Sequence, residues 1–387
     1  MMTNETINIF ALSKQDTSVM KGIAIIAMLS HHVYNWHFHE IPYSHFLIAL
    51  GVLGKICVAI FLFCSGYGLA VQYEKAIAIS YSVKDKLHTT IIFVIKRLIK
   101  FYSAYWFVFL IFVPITIFCF HRPLSAAYGG NVNTYWYLLR DMFCLNGGNA
   151  FNATWWFNTL IVLLYIVFPC CYFFIRKLGV IGLLCCFILM RYSSYLGVLN
   201  IYSVPFWQYP FVIGVFLSVY RSNMEQFSII VQRNVWLLRL ALVIIAGFFI
   251  MQKLSSDVPN IVPLGVVRAD DFSALLIIFL MIYCCTFKII SLQILTKILD
   301  ILGTHSINIY FIHTFLNVYW KPIKSIIHTD MFCKCGGDML LLLFLSLGLS
   351  ILIEFSKEKI GWSKITSLII QKIEKNETKS FQYQINE

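Results

Sequence analysis

The chain has 387 residues, of which 59% are hydrophobic, 17% aromatic and only 12% charged, with a mean hydropathy of +0.78, far outside the range of soluble globular domains. Its net charge is +12, which topology and anionic lipid headgroups account for without a nucleic-acid partner. Composition therefore sets aside soluble enzymes and nucleic-acid binders, and predicts an all-α, polytopic membrane helix bundle with the lipid bilayer as its solvent.

In chain order, apolar runs fall at 19–38, 46–72, 92–120, 155–175, 178–192, 205–220, 235–252, 272–290, 298–320 and 338–356, against a need for about 17–25 residues per spanning helix. Ten helices are expected. The fifth is the shortest, with Leu178 to Met190 closed by Arg191. Lysine and arginine placement supports keeping it: with ten spans, 20 of the 30 basic residues share the side of both termini, 8 take the other side, and Lys21 and Lys55 stay inside helices. Short cytoplasmic loops carry that excess, so both termini are expected in the cytoplasm. The stretch before Lys21 is polar and the first run carries histidines in place of a small-residue cleavage site, so it reads as an uncleaved first helix. No Ser/Gly/Pro-rich linker divides the chain; residues 1–357 are expected as one transmembrane domain and 358–387 as a short basic cytoplasmic tail. The longest polar excursion outside is 121–154, with turn signals at Tyr128-Gly-Gly-Asn131 and Asn146-Gly-Gly-Asn149.

Two polar groups interrupt the first apolar run, Lys21 and His32. On an α-helix their 11-residue step brings them to within about 20° of one face and about 16 Å apart along the axis. His31 falls about 80° off that face, which makes His32 the candidate of the pair. Ionisable groups at membrane depth are costly and are read as functional by default. The same spacing argument puts Ser306, Tyr310 and His313 on one face of the ninth helix, expected to meet the Lys21/His32 face. Lys96, Arg97 and Lys100 cluster at the expected cytoplasmic mouth of the third helix, a pattern suited to phosphate as well as to anchoring. Nine of the twelve cysteines fall in apolar runs, where the residue acts as a small hydrophobe. Cys144, Cys333 and Cys335 fall outside, where a disulfide is open to them; the Cys-x-Cys spacing fits neither a zinc pair nor a thioredoxin motif. No metal site is expected.

Five stretches, taken together and in order, resemble the acyltransferase-3 family of integral-membrane acyltransferases. They are Lys21-Gly22-Ile23-Ala24 through His32; Phe61-Leu62-Phe63-Cys64-Ser65-Gly66-Tyr67; Lys96-Arg97-Leu98-Ile99-Lys100-Phe101 leading to Tyr105-Trp106; Trp156, Phe157, Leu160 or Ile161, Tyr165 and Pro169; and Gly303, Ser306, Tyr310 and His313. The chain departs from the family pattern at Lys21, where arginine is usual, at Ser18, where Asp precedes it, and at Ala104, where proline is usual.

The resemblance implies transfer of an acyl group, by preference acetyl from acetyl-CoA, to a hydroxyl of a cell-surface polysaccharide or its precursor. It assigns His32 as general base and Lys21 as a fixed charge. Donor binding falls to Lys96, Arg97 and Lys100, and the acceptor side or cavity lining to Ser306, Tyr310, His313 and Trp156. Acetyl-CoA enters as substrate; no permanently bound cofactor is expected. The expected setting is the plasma membrane of a prokaryote, with a carbohydrate acceptor and either a homo-oligomer or a separate partner outside the membrane. An exporter of polysaccharide or small molecules is the alternative class; the 18 acidic residues, almost all in loops or tails, argue against a proton-coupled carrier.

Overall fold

The computed structural model describes residue 8 and residues 10–35, 43–78, 80, 82–130, 133–145, 150–193, 204–223, 293–319 and 336–385, with a few single positions between 236 and 282. Among the described residues every regular element is a helix. We number the helices α1 (Lys14–Ser30), α2 (His45–Gly54), α3 (Cys57–Ile77), α4 (Val83–Phe118), α5 (Leu124–Ala127), α6 (Thr134–Met142), α7 (Trp156–Leu178), α8 (Val180–Ser193), α9 (Val204–Val219), α10 (Gln293–Thr304), α11 (Ser306–Thr314), α12 (Gly337–Lys359) and α13 (Trp362–Ile385). Four described stretches are long and apolar enough to cross a bilayer: His45–Ile77, Val83–Phe118, Ala153–Leu178 and Gly337–Lys359. Shorter apolar helices run over Val180–Met190 and Tyr209–Val219. The expected runs at 235–252 and 272–290 lie almost wholly outside the described residues.

Several elements differ locally from the continuous helices expected. The second run breaks at Lys55–Ile56 between α2 and α3, so Lys55 caps a helix end rather than sitting within a helix. α4 starts nine residues before the apolar run, at a capping box in which Ser82 and Asp85 each accept from the other's backbone N–H. α8 continues through Arg191. The ninth run divides into α10 and α11 at His305. The expected basic tail is helical over Trp362–Ile385.

The described chain forms two compact units. The first comprises residues 1–70, 171–306 and 322–343. Here α1 lies against α10 at two glycines: a Cβ on Gly22 would strike the Leu299 carbonyl, and one on Gly303 the Ser18 carbonyl. Small residues admit such backbone approach between membrane helices. Ser18 adds a hydrogen bond, its hydroxyl donating to the Asp300 carbonyl at 3.1 Å. α3 and α9 meet in the same manner at Gly66 and Gly214, the former against the Phe211 carbonyl and the latter against Phe63.

The second unit comprises residues 71–170, 307–321 and 344–387. Its core is aromatic: Trp155 packs against Tyr105, Phe109, Phe311 and Phe315, with ring centroids 4.9–6.4 Å apart. α13 lies along α4, where Trp362 Nε1 donates to the Ser103 hydroxyl at 3.0 Å, and the Ser103 and Thr366 hydroxyls lie 2.6 Å apart. The apolar residues that face α4 recur at Trp362, Ile365 and Ile369, the i, i+3, i+7 spacing of one helix face.

Candidate functional site

In the first unit α1 is positioned from both ends. A capping box formed by Ser13 and Asp16 starts it, and at Ser30 the α-helix gives way to a π-helical turn over His31–Asn35. Such turns are rare and concentrate at functional sites. The expected 11-residue alignment assumed α geometry throughout, and the wider π turn rotates the chain less per residue, so His32 lags behind the angle computed for it. Lys21 and His32 are both half-buried. The His31 Nδ1–H donates to the Gly51 carbonyl at 2.8 Å, tying α1 to α2. The His32 ring stands edge-on to His31 at 5.2 Å. Lys21 lies within electrostatic reach of Cys64 on α3, whose thiol donates to the Thr17 carbonyl at 3.8 Å.

The second unit holds the remaining expected residues apart from Ser306, which is buried at the end of the first. Tyr310 donates its hydroxyl to the Thr154 carbonyl at 2.8 Å and meets the Phe157 ring at 5.5 Å. His313 is fully buried. Its Nδ1–H faces the carbonyls of Tyr310 and Ile309 at 2.9 and 3.2 Å, and its Nε2 lies 3.2 Å from the Thr314 hydroxyl. Both ring nitrogens are thus engaged inside the unit. Trp156 is half-buried against Phe157, whereas its neighbour Trp155 is buried and donates Nε1–H to the Phe311 carbonyl at 3.2 Å.

Of the basic cluster, Lys96 pairs with Glu374 of α13 at 2.6 Å. The Arg97 guanidinium stands over the Phe93 ring at 5.3 Å, and Lys100 is exposed. The cluster lies within a continuous α4 rather than at its first turn. Beside it an apolar cavity of about 340 Å³ opens between α4 and α13, lined among others by Ile95, Tyr102, Trp106 and Trp362. Among the described residues, no group of three or more His, Cys, Asp or Glu side chains has the arrangement of a metal site.

The sequence matches the acyltransferase-3 family, described as an acyltransferase domain, over residues 16–356. The chain belongs to the acyltransferase-3 family. No curated protein and no solved structure matches it. With its long apolar helices, it is a multi-pass membrane acyltransferase of the O-acyltransferase kind.

Several residues that the family pattern singles out have a packing role on this acyltransferase. Gly66 and Gly303 are close helix contacts. Tyr67 fastens the segment before α1, donating to the Phe10 carbonyl at 2.8 Å and accepting from the Leu12 N–H at 2.9 Å. Ser18, which replaces the family's Asp, serves the α1–α10 contact. Sequence reasoning missed a polar cluster at the end of α12: Lys357 is buried, 2.8 Å from Glu354, and both reach the Asn308 side chain, at 3.2 and 2.7 Å. A signal was present, since Glu354 and Lys357 share a helix face at i, i+3. Reasoning also missed Glu374 as a partner of the basic cluster.

Proposed function

We propose that this acyltransferase moves an acetyl group from acetyl-CoA to a hydroxyl of a cell-surface polysaccharide or its precursor, in the plasma membrane of a prokaryote. The support for the reading is a histidine pair in a π turn at the end of the family-matched first helix: His31 is oriented by the Gly51 carbonyl, and the half-buried His32 stands edge-on to it at 5.2 Å. An imidazole with an ordinary pKa near 6.5 is suited to proton removal at neutral pH.

His32 takes the acceptor hydroxyl proton as that oxygen attacks the thioester carbonyl. The tetrahedral oxyanion then collapses, the carbon–sulfur bond breaks, and the departing thiolate receives the proton from the imidazolium. Products are an O-acetyl ester and the free thiol. Lys21, an eleven-residue step earlier on α1, supplies a fixed positive charge for an anionic part of the donor; as a point charge it needs no bidentate geometry. Arg97, Lys100 and Lys96 on α4 are suited to phosphate recognition, and Ser306, Tyr310 and His313 on α11 are the acceptor-side residues.

The test is transfer of label from acetyl-CoA into the glycan fraction of membranes containing the protein, against membranes lacking it. The expected result is protein-dependent label released by mild alkali, as an ester requires. Alkali-stable label would contradict hydroxyl acylation, and unacylated glycan moved across the membrane without label would favour the exporter.

A further inference from the structure

Asn158 lies on α7 in the second unit and is 1% exposed. Neither its Oδ1 nor its Nδ2 has a hydrogen-bond partner among the described residues. Buried polar groups are nearly always paired, and an exception calls for an explanation such as a functional role or a bound molecule. Apolar rings stand close by: one turn back is Trp155, in its aromatic cluster, and next to it is Phe157, against Tyr310; among the described residues the buried neighbours Thr154 and Thr159 do not pair with it. An apolar side chain would fill this place at lower cost, so an amide here serves something other than packing.

The position indicates what that is. Asn158 and Tyr165 are seven residues apart on α7, within about 20° of one face and about 10.5 Å along the axis. Tyr165 meets the Phe101 ring on α4 at 6.4 Å and lies within electrostatic reach of Arg97. Asn158 and Tyr165 thus share one face of α7, the basic cluster lying beside Tyr165 about two turns from the orphaned amide. A primary amide offers a carbonyl acceptor beside an N–H donor, the complement of an N–H and a C=O contributed by two successive amides of one chain.

We propose that Asn158 binds the two successive amides in the arm of an acyl thioester whose anionic head is held by the Arg97 cluster. The inference rests on the acetyl-CoA reading above and assigns a donor-recognition residue within it. Oδ1 accepts the N–H of one amide of the arm and Nδ2–H donates to the carbonyl of the next amide along it, since the N–H and C=O of a single trans amide point opposite ways; both orphaned atoms are then satisfied.

The experiment uses the purified full-length protein and its Asn158→Leu variant, with acetyl-CoA binding measured first on the wild type. Turnover is then compared with two thioesters that lack phosphates: S-acetylpantetheine, which carries two amides, and S-acetylmercaptoethanol, which carries none. The variant is expected to melt at or above the wild-type temperature. It should bind acetyl-CoA about tenfold or more weakly, the scale of one lost buried hydrogen-bond pair, and should lose the wild type's preference for the amide-bearing thioester. Unchanged acetyl-CoA affinity would overturn the inference, the amide then holding a buried water alone. An equal loss of turnover with both thioesters would also overturn it, pointing to the acceptor or to folding. A wild type that binds no acetyl-CoA would instead remove the donor reading, a result distinguishable from either.

Discussion

His31 and His32 share a backbone turn but not a chemical environment. The Nδ1–H of His31 is spent on the Gly51 carbonyl, so His31→Ala is expected to cost about 0.5–1.5 kcal/mol of stability, read as a lower thermal midpoint of the purified protein. Cys144 offers a second check. Burial, and then the Asp141 carboxylate, push its thiol well above the ordinary range, so it stays protonated near neutral pH and nucleophilicity is suppressed. Native protein is expected to leave Cys144 unlabelled by iodoacetamide under conditions in which the denatured chain reacts, as peptide mass spectrometry would show. The candidate partners Cys333 and Cys335 lie outside the described residues. Lys21 and His32 were legible in the sequence because a charge and an imidazole in an apolar run are conspicuous. The orphaned amide of Asn158 was not, since a single Asn beside Trp and Phe looks like many helix starts until its missing hydrogen bonds are counted.

The contacts between helices explain why glycine recurs in the stretches that resemble the family. At Gly303 a side chain would meet a backbone carbonyl, which cannot rotate away. Gly303→Ala is therefore expected to destabilise by about 1–3 kcal/mol through overpacking, lowering thermal stability and the amount of protein in the membrane. Gly348 on α12 has open space where a Cβ would go, and Gly348→Ala, as the control, should be neutral or slightly stabilising. Docking of α13 on α4 sets a second expectation. The Lys96–Glu374 pair is partly exposed, and such pairs contribute up to about 1 kcal/mol. Glu374→Gln should thus free Lys96 and lower the KM for acetyl-CoA by at most about fivefold; a rise in KM would mean that Glu374 orients Lys96 for the donor. For the runs that the described residues cover, helix existence was legible from apolar run length. The break at Lys55–Ile56, the division at His305 and the two π turns were not, because none is marked by proline and each is decided by packing. The helix of the tail escaped notice since its charged face outweighs, in average hydropathy, the Trp362, Ile365, Ile369 stripe that docks it.

For the whole molecule, a net charge of +12 is a statement about topology. With ten spans, 20 basic residues lie on the side of the termini and 8 on the other, and short loops follow that bias strongly. Single-cysteine labelling of intact cells is accordingly expected to find positions near Lys14 and within 379–387 protected from an impermeant maleimide, and positions near Arg122 reactive. Labelling near both termini would reverse the orientation, and labelling near one alone would exclude an even number of spans. Class and family were legible at this scale because apolar content and five ordered motifs are distributed over most of the chain. How Lys21 and His32 work with the donor residues was not, since periodicity relates residues on one helix and is silent between helices.

Acetyl transfer as proposed depends first on the base. The most direct measurement is the rate of acetyl transfer from acetyl-CoA by purified wild type, His32→Ala and His31→Ala at matched folded protein, with donor binding measured alongside. His32→Ala is expected to lose about 10²–10⁴-fold in rate, the contribution of a general base, while still binding donor, and His31→Ala to keep most of its rate per folded molecule. Full transfer by His32→Ala, or loss confined to His31→Ala, would contradict His32 as the base.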